Sequence, residues 1–249
     1  MAKRSYRDKK LSSQALRLKI AGNIVLGVLV LSVGALCLAP IEKDLQAQGK
    51  EANIYRSAGE NAVGVSLMFN VYWGTDEVYR ILETLKAHNA KATFFIGGCW
   101  ADDNVACLRA IYADGHEIGN HGYFHKDQSK MNLAQNQKEI VDCNRFIELA
   151  IGKKPTLFAP PSGAYCNDTL TAVSALNMKT VLWSKDTIDW RDKDESIIYS
   201  RATKNVGVGD FVLMHPMAET ANALDDILKY YETKDLSVVT VTENLQLEG

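Results

Sequence analysis

Short apolar runs alternate with segments of helical periodicity from residue 63 to residue 241, and this alternation restricts the fold more than any other feature. The runs Val63–Phe69 and Phe211–Met214 predict buried strands, and Ser237–Val241 predicts a last strand. Asp76–His88 and Leu133–Ile151 instead carry apolar residues at helical spacing. Strands that alternate with helices are typical of a parallel sheet with helical crossovers. We therefore predict an α/β fold with about seven parallel strands, and chemistry beyond their carboxyl ends.

The amino-terminal segment predicts a membrane anchor. Residues 1–19 carry seven basic residues and one acid, a net charge of +6, and Ile20–Ala39 is a run of 20 residues without a charge. A helix of that length spans about 30 Å, the thickness of the hydrocarbon core. The positive-inside rule then predicts a cytoplasmic tail over residues 1–19, a single transmembrane helix over 20–40 and an extracytoplasmic remainder. The alternative is a cleaved secretory signal peptide, whose apolar core is usually shorter.

The rest of the chain predicts an extracytoplasmic globular body. Residues 41–60 are polar and predict a stalk, and residues 61–249 predict one domain. Because the whole chain has a net charge of −2, everything after residue 19 carries −8, which argues against nucleic acid as a partner. Cys99 and Cys107 flank a short polar stretch and are the easiest disulfide pair, with free thiols as the alternative.

Two histidines predict a metal site. His121 and His125 have the spacing HxxxH after a predicted strand. At a helical turn this spacing puts both imidazoles on one side, where they can share a cation. Zinc needs a third protein ligand, and an open position if it is catalytic.

A carboxylate and a third histidine predict acid–base chemistry. Asp189 precedes a tryptophan, and His215 ends the run VLMH. Together they fit a carboxylate that orients an imidazole, which then acts as a general acid. The segment APPSGAY at residues 159–165 predicts a stiff turn, and such a turn can direct backbone N–H groups at a developing oxyanion.

These segments, in this order, resemble the polysaccharide deacetylases, the NodB-like carbohydrate esterases of family four. The resemblance rests on Phe69-Asn70, on the two spaced histidines, on Pro160-Pro161-Ser162-Gly163, on Asp189-Trp190 and on Leu213-Met214-His215. It covers about residues 60–245. The segment Phe69-Asn70-Val71-Tyr72-Trp73-Gly74 is most similar to the membrane-anchored group of sporulating Gram-positive bacteria.

The resemblance implies a deformed (β/α) barrel and a divalent metal ion, zinc or a similar one. In the family a metal-bound water attacks the carbonyl of an N-acetyl group on a sugar, an Asp removes the proton, and a His protonates the leaving amine. Carried over, His121 and His125 are metal ligands, His215 is the general acid, and Asp189 orients it. The substrate-binding set would be Trp73, Pro160, Pro161, Ser162, Gly163, Trp190 and Leu213, with Trp190 and Leu213 around the acetyl methyl group and the Ser162 N–H at the oxyanion.

Three positions depart from the family pattern. The general-base Asp falls on Asn70, whose amide cannot take a proton near neutral pH, and the metal-binding Asp falls on Val71, which has no donor atom. The Arg that supports the base falls on Ala159. Asn70 remains a candidate third ligand through its carbonyl oxygen. The carboxylates that remain as substitute bases are those of Asp76, Glu77, Asp127 and Asp186.

Two functions follow from the retained and the lost residues. The first is a hydrolase that removes N-acetyl groups from a polysaccharide such as peptidoglycan or a chitin-like glycan, with a substituted base. The second is a membrane-tethered, glycan-binding pseudo-enzyme that keeps the fold and the groove. Hydrolysis of another acyl bond, such as an O-acetyl ester, is a further alternative because an alkoxide is easier to expel.

Overall fold

The computed structural model describes residues 54–247 and shows a single parallel sheet surrounded by helices. The eight strands within these residues are β1 Ile54–Tyr55, β2 Ser66–Val71, β3 Thr93–Ile96, β4 Glu117–Asn120, β5 Leu157–Phe158, β6 Lys179–Val181, β7 Lys185–Asp186 and β8 Phe211–Met214.

The helices follow the strands along the chain. They are α1 Thr75–Ala87, α2 Gly98–Asp103, α3 Val105–Ala113, α4 Leu133–Ile151, α5 Asn167–Ala175, α6 Asp189–Asp192, α7 Glu195–Thr203, α8 Ala218–Glu232 and α9 Val241–Leu245, with short 3₁₀ turns at Gln128–Lys130 and Pro161–Gly163. The bounds of α4 are those that the sequence predicts, because Asn132 and Gln135 form a capping box at its start and Gly152 ends it in the left-handed conformation.

The sheet order is β1-β6-β5-β4-β3-β2-β8-β7, and every strand pair is parallel. An isolated antiparallel bridge between Ser57 and Asp210 joins the segment after β1 to the segment before β8. Because β1 is one edge strand and β8 lies next to the other, the two edges of the sheet approach each other. This curled parallel sheet fits the predicted barrel. It has eight strands rather than about seven, because β1 and β7 are two-residue strands without a clear apolar run.

The core lies on both faces of the sheet. In β2, Phe69 and Val71 pack into the outer cluster between the sheet and the helices, whereas Met68 packs into the smaller inner cluster with Phe95 and Ala159. Successive residues of a strand point to opposite faces, which explains this division. The same alternation places Asn70 on the inner face, at the carboxyl end of the strand.

Three sequence expectations differ from the structure. The predicted last strand at Ser237–Val241 makes one isolated bridge, Val65 to Val238, and Val241 begins α9 instead. The His121–His125 segment is a loop and not a helical turn. Strand β1 pairs with β6 and therefore lies in the sheet, although residues 41–60 predict a stalk.

The predicted cytoplasmic tail and transmembrane helix fall on residues that lie outside the described range. Within residues 54–247, no helix is both long enough and apolar enough to cross a bilayer. Of the two alternatives for the cysteines, the structure has the free thiols: Cys99, Cys107, Cys143 and Cys166 are all unpaired.

Candidate functional site

A cavity of about 340 Å³ opens beyond the carboxyl ends of the strands and brings together most of the predicted site residues. The loops after β2, β4, β5 and β8, together with the segment around β7, contribute its walls. It is lined by Asn70, Trp73, His121, His125, Ser162, Trp183, Asp186, Trp190, Leu213 and His215.

The two spaced histidines meet at this cavity. The ring centroids of His121 and His125 lie 5.0 Å apart, with an interplanar angle of 68°. Nδ1 of His121 lies 2.7 Å from the carbonyl oxygen of Ala159. Because a carbonyl can only accept a hydrogen bond, Nδ1 carries the proton and Nε2 keeps its lone pair. Such an imidazole is in the tautomer that a metal ligand requires.

Both imidazoles are held neutral by their surroundings. Burial and the neighbouring His125 lower the pKa of His121 to about 3, and burial lowers the pKa of His125 as well. A buried imidazole loses hydration when it is charged, so the neutral form is favoured. Near neutral pH both rings therefore offer a nitrogen lone pair.

The loop between the histidines is shaped by unusual backbone angles and by one buried acid. Gly122 has φ 75° and His125 has φ 51°, both in the left-handed region. Oε2 of Glu139, on α4, accepts hydrogen bonds from the backbone N–H groups of Tyr123 and Phe124. These bonds tie the loop to α4 and bring the second ring back towards the first.

The predicted carboxylate–imidazole pair forms beside the histidine pair. Nδ1 of His215 lies 2.7 Å from Oδ1 of Asp189, which is fully buried in the first turn of α6. The other oxygen of Asp189 accepts hydrogen bonds from the backbone N–H of His215 at 2.6 Å and from Oγ1 of Thr220 at 2.7 Å. Because Nδ1 is bound to the carboxylate, Nε2 is the free nitrogen of His215.

The three positions that depart from the family pattern carry no ionisable side chain. Asn70 is almost fully buried, and its Oδ1 accepts no hydrogen bond from the described residues. The side chain of Val71 packs into the outer core, away from the cavity. Ala159 is fully buried in the inner core and contributes only its carbonyl oxygen.

The predicted ligands are of types that a divalent ion takes. Within residues 54–247 no group of three or more His, Cys, Asp or Glu side chains is placed to hold a metal ion. The predicted ligands His121, His125 and Asn70, whose amide oxygen is unpartnered, all line the cavity, as do Asp186 and His215. Two nitrogens and one oxygen are ligand types that zinc takes, and the unpartnered oxygen is a buried acceptor that a cation would satisfy.

The four candidate substitute bases differ in whether they line the cavity. Asp186 is the carboxylate that lines the cavity, and its Oδ1 accepts a hydrogen bond from the backbone N–H of Ile188 at 2.8 Å. Asp76 and Glu77 lie in the first turn of α1, and Asp127 caps the 3₁₀ turn that follows the histidine loop. Among the described residues these three acids do not line the cavity.

The predicted substrate-binding residues divide into walls and support. Trp73, Ser162, Trp190 and Leu213 line the cavity, and Trp190 is 51% exposed. Pro160, Pro161 and Gly163 build the 3₁₀ turn that presents Ser162, which has φ 55°, without lining the cavity themselves. A side chain at Gly163 would lie 2.8 Å from the indole of Trp183, so this turn packs directly on that wall.

A family model described as polysaccharide deacetylase matches residues 59–181. A peptidoglycan-N-acetylglucosamine deacetylase of Bacillus cereus is 35% identical over 183 residues, which cover 70% of this chain and 84% of that protein. The chain belongs to the polysaccharide deacetylase family. This confirms the family that the sequence motifs indicate, and the deacetylase fold explains why the motifs meet at one cavity.

Two further relatives are similar to this chain over about three quarters of its length. YlxY of Bacillus subtilis is 38% identical over 179 residues, which cover 72% of this chain and 56% of YlxY, so the chain spans just over half of that relative. The crystal structure of a CE4 family pseudoenzyme from Bacillus anthracis has a TM-score of 0.76 and 33% identity, covering 79% of this chain and 70% of the other. A mutant of the same protein is described as a pseudoenzyme with restored enzymatic activity, also with a TM-score of 0.76, at 31% identity and covering 79% of this chain and 72% of the mutant.

Besides Glu139, the structure adds Trp183 and Thr220 to the site, and none of the three was singled out from the sequence. Trp183 lines the cavity just past the end of β6, and Thr220 bonds to Asp189 from the first turn of α8. A tryptophan beyond a strand end is a usable signal for Trp183. No local pattern marks Thr220, because its partner lies 31 positions earlier in the chain.

Proposed function

We propose that this chain binds N-acetylated glycan of the peptidoglycan or chitin type at its cavity as a catalytically impaired polysaccharide deacetylase. The observation that carries this proposal is the side chain at position 70. An amide occupies the end of β2 where the family has its general base, and the neighbouring Val71 points into the core. A positioned general base contributes about 10²–10⁴-fold to a rate, so its loss silences or greatly slows hydrolysis.

The cavity keeps features that suit a sugar with an acetamido group. Indole rings of Trp73, Trp183 and Trp190 and the apolar Leu213 form part of its wall. Large aromatic side chains with a polar edge suit ligands that have apolar faces and hydroxyl groups. His215 and Asp186 add polar groups on the same wall, where hydrogen bonds to a sugar can fix its orientation.

A slow deacetylase is the second candidate, and the intact Asp189–His215–Thr220 contacts favour it. The imidazole of His215 is held with a free Nε2, as a group that delivers a proton to a leaving amine must be. Asp186 is the carboxylate that a substitute base would use. A divalent ion, zinc or a similar one, held by His121, His125 and Asn70 would supply Lewis-acid polarisation of the acetyl carbonyl.

We further propose that residues 20–40 anchor the protein in the cytoplasmic membrane with the folded body outside. The charge-free run and the basic flank support this, as does the similarity of the Phe69–Gly74 segment to the membrane-anchored group of sporulating Gram-positive bacteria. The full chain should then sediment with membranes. Release into the medium with Pro40 as the first residue would instead support a cleaved signal peptide.

The function is tested by measuring binding and hydrolysis on the same samples. Calorimetry with acetylated and fully deacetylated chito-oligomers should show binding of the acetylated form, with little or no amine released. Trp190→Ala should weaken this binding about tenfold, because an exposed indole on the cavity wall is lost. Tyr112→Ala removes a comparably exposed aromatic outside the cavity and should leave binding unchanged. Amine release at a rate usual for an enzyme would overturn the proposed catalytic impairment.

A further inference from the structure

The loops after β2 and after β8 are in direct contact at the cavity. The indole of Trp73 lies parallel to the imidazole of His215, with ring centroids 5.7 Å apart and an interplanar angle of 5°. The indole Nε1 donates to Sδ of Met217, in the same loop as His215, at 3.3 Å. The edge and the face of one indole therefore both contact the His215 loop.

The backbone next to Trp73 makes a second contact between the same two loops. Gly74 has φ 75°, and a Cβ atom placed on it would collide with the carbonyl oxygen of Pro216. Only glycine allows such a close approach in this conformation. Strands β2 and β8 are neighbours in the sheet, so the loops that leave their carboxyl ends start side by side.

The imidazole of His215 needs this second support. The hydrogen bond to Asp189 fixes the Nδ1 atom but leaves the ring free to tilt about that contact. A parallel indole restricts the ring plane, and aromatic pairs of this kind stabilise an arrangement by up to about tenfold beyond burial. Trp73 is 41% exposed, so burial alone does not account for where its indole lies.

We propose that Trp73 is the positioning residue of His215: stacked on one face of the imidazole while Asp189 holds Nδ1, it fixes the ring plane and hence the direction of the free Nε2. The proposal deepens the proposed function and rests on it for the role of the cavity. It changes the role of Trp73 from a sugar-binding wall to a support that acts through His215.

The test is a spectroscopic one on the full-length protein with ¹⁵N-labelled histidine, so that it does not depend on hydrolysis. In the wild type, the His215 ring protons should show an upfield ring-current shift, and the Nδ1–H proton bound to Asp189 should be protected from solvent exchange. In Trp73→Leu the ring-current shift should vanish, and Nδ1–H exchange should rise on the order of tenfold, the factor that corresponds to the upper end of a stacking contribution. Trp73→Phe should restore the protection, because a planar ring remains.

Trp190→Leu is the matched control, since it removes an exposed indole from the same cavity that is not stacked on His215. It should leave the His215 ring-current shift and the Nδ1–H exchange as in the wild type. Equal exchange in the wild type and Trp73→Leu, or equal loss in Trp190→Leu, would overturn the proposal. If Trp73→Leu changes the His215 ring-current shift and Nδ1–H exchange as expected, but acetylated chito-oligomers do not bind to the wild type, the proposed function fails and the positioning role stands.

Discussion

The Nδ1 atom of His215 lies 2.7 Å from Oδ1 of Asp189, a carboxylate that is fully buried. Asp189 also accepts hydrogen bonds from Thr220 and from the backbone N–H groups of Trp190 and His215. A buried charge is tolerated only when it is paired and hydrogen-bonded. This carboxylate therefore ties α6, the start of α8 and the loop after β8 into one unit.

Asp189→Asn should destabilise the protein and loosen His215. Removing one partner of a buried pair leaves unmatched groups behind, and we expect a loss of about 3 kcal/mol in the free energy of unfolding. Urea denaturation followed by circular dichroism measures it. Asp192→Asn is the control, because that carboxylate pairs with Arg191 and Arg201 near the surface and its loss should have a clearly smaller effect. Equal effects would contradict a structural role for Asp189.

The zinc affinity of the cavity should depend on both His121 and His125. His121→Ala or His125→Ala should each lower zinc affinity at least about tenfold, since one imidazole and the Asn70 oxygen would remain. Zinc titration calorimetry on the full-length protein is the measurement. His116→Gln, a buried histidine at the opposite end of the strands, should leave affinity unchanged. Undiminished zinc binding in both alanine variants would show that the ion is held elsewhere.

The amide at position 70 predicts a gain of activity by substitution. Asn70→Asp supplies a group that can accept a proton, and Ala159→Arg adds its positive partner. The pair should exceed either single change, with a gain on the order of 10²-fold in deacetylation rate per bound metal. Because Ala159 is fully buried, the arginine carries a packing cost of about 1–3 kcal/mol, so folding is verified by circular dichroism.

The outcomes for position 70 separate the two candidate functions. A wild type already as fast as the double variant would identify another base, and Asp186→Asn would then abolish the activity. If the wild type, both single variants and the double variant were all inactive with full metal occupancy, the pseudo-enzyme would be supported.

The close approach at Gly74 predicts an unusually costly glycine substitution. Gly74→Ala should destabilise the fold by about 2 kcal/mol more than Gly152→Ala. Both glycines have nearly the same backbone angle, φ 75° and φ 73°, so the conformational cost is matched. A Cβ at Gly152 would meet no atom within 4 Å, whereas at Gly74 it would strike the carbonyl of Pro216. Equal thermal unfolding of the two variants would contradict the close approach of these two loops.

A histidine far from the cavity predicts a pH-dependent contribution to stability. Nδ1 of His88 lies 2.6 Å from Glu232, and Nε2 lies 2.8 Å from Asp225, so both nitrogens face carboxylates on α8. The hydrogen bond with Glu232, supported by Asp225, raises the pKa of His88 above its ordinary 6.5. The stabilisation is therefore fully present below about pH 6.5 and is lost as the pH rises through the higher folded-state pKa.

The measurement for His88 is thermal unfolding from about pH 6 to about pH 8. The midpoint should fall more in the wild type than in His88→Gln, whose amide does not titrate. Lys138→Gln removes a surface ion pair with Asp142 that does not titrate in this range and should follow the wild type. Parallel curves for the wild type and His88→Gln would show that His88 contributes no pH dependence.

The parallel α/β architecture and the elements of the site could be predicted from the sequence because their causes are local. Apolar runs indicated the strands, helical spacing and a terminal glycine indicated α4, and the order of five short motifs indicated the family. The two-residue strands β1 and β7 could not be predicted, because pairing with β6 and β8 defines them rather than their own residues. For the same reason the apolar run at Ser237–Val241 does not form the predicted strand.

The sequence by itself determined which chemical groups the site contains: three histidines, the carboxylate of Asp189, and an amide, a valine and an alanine where the family has ionisable side chains. Only the tertiary structure decided what these groups do. It directs Val71 into the core, stacks Trp73 on His215, brings Thr220 to Asp189, and leaves Asp186 as the carboxylate on the cavity wall. The physical reason is that residue types are fixed along the chain. Burial and hydrogen-bond partners, in contrast, come from segments far apart in sequence that meet at the strand ends.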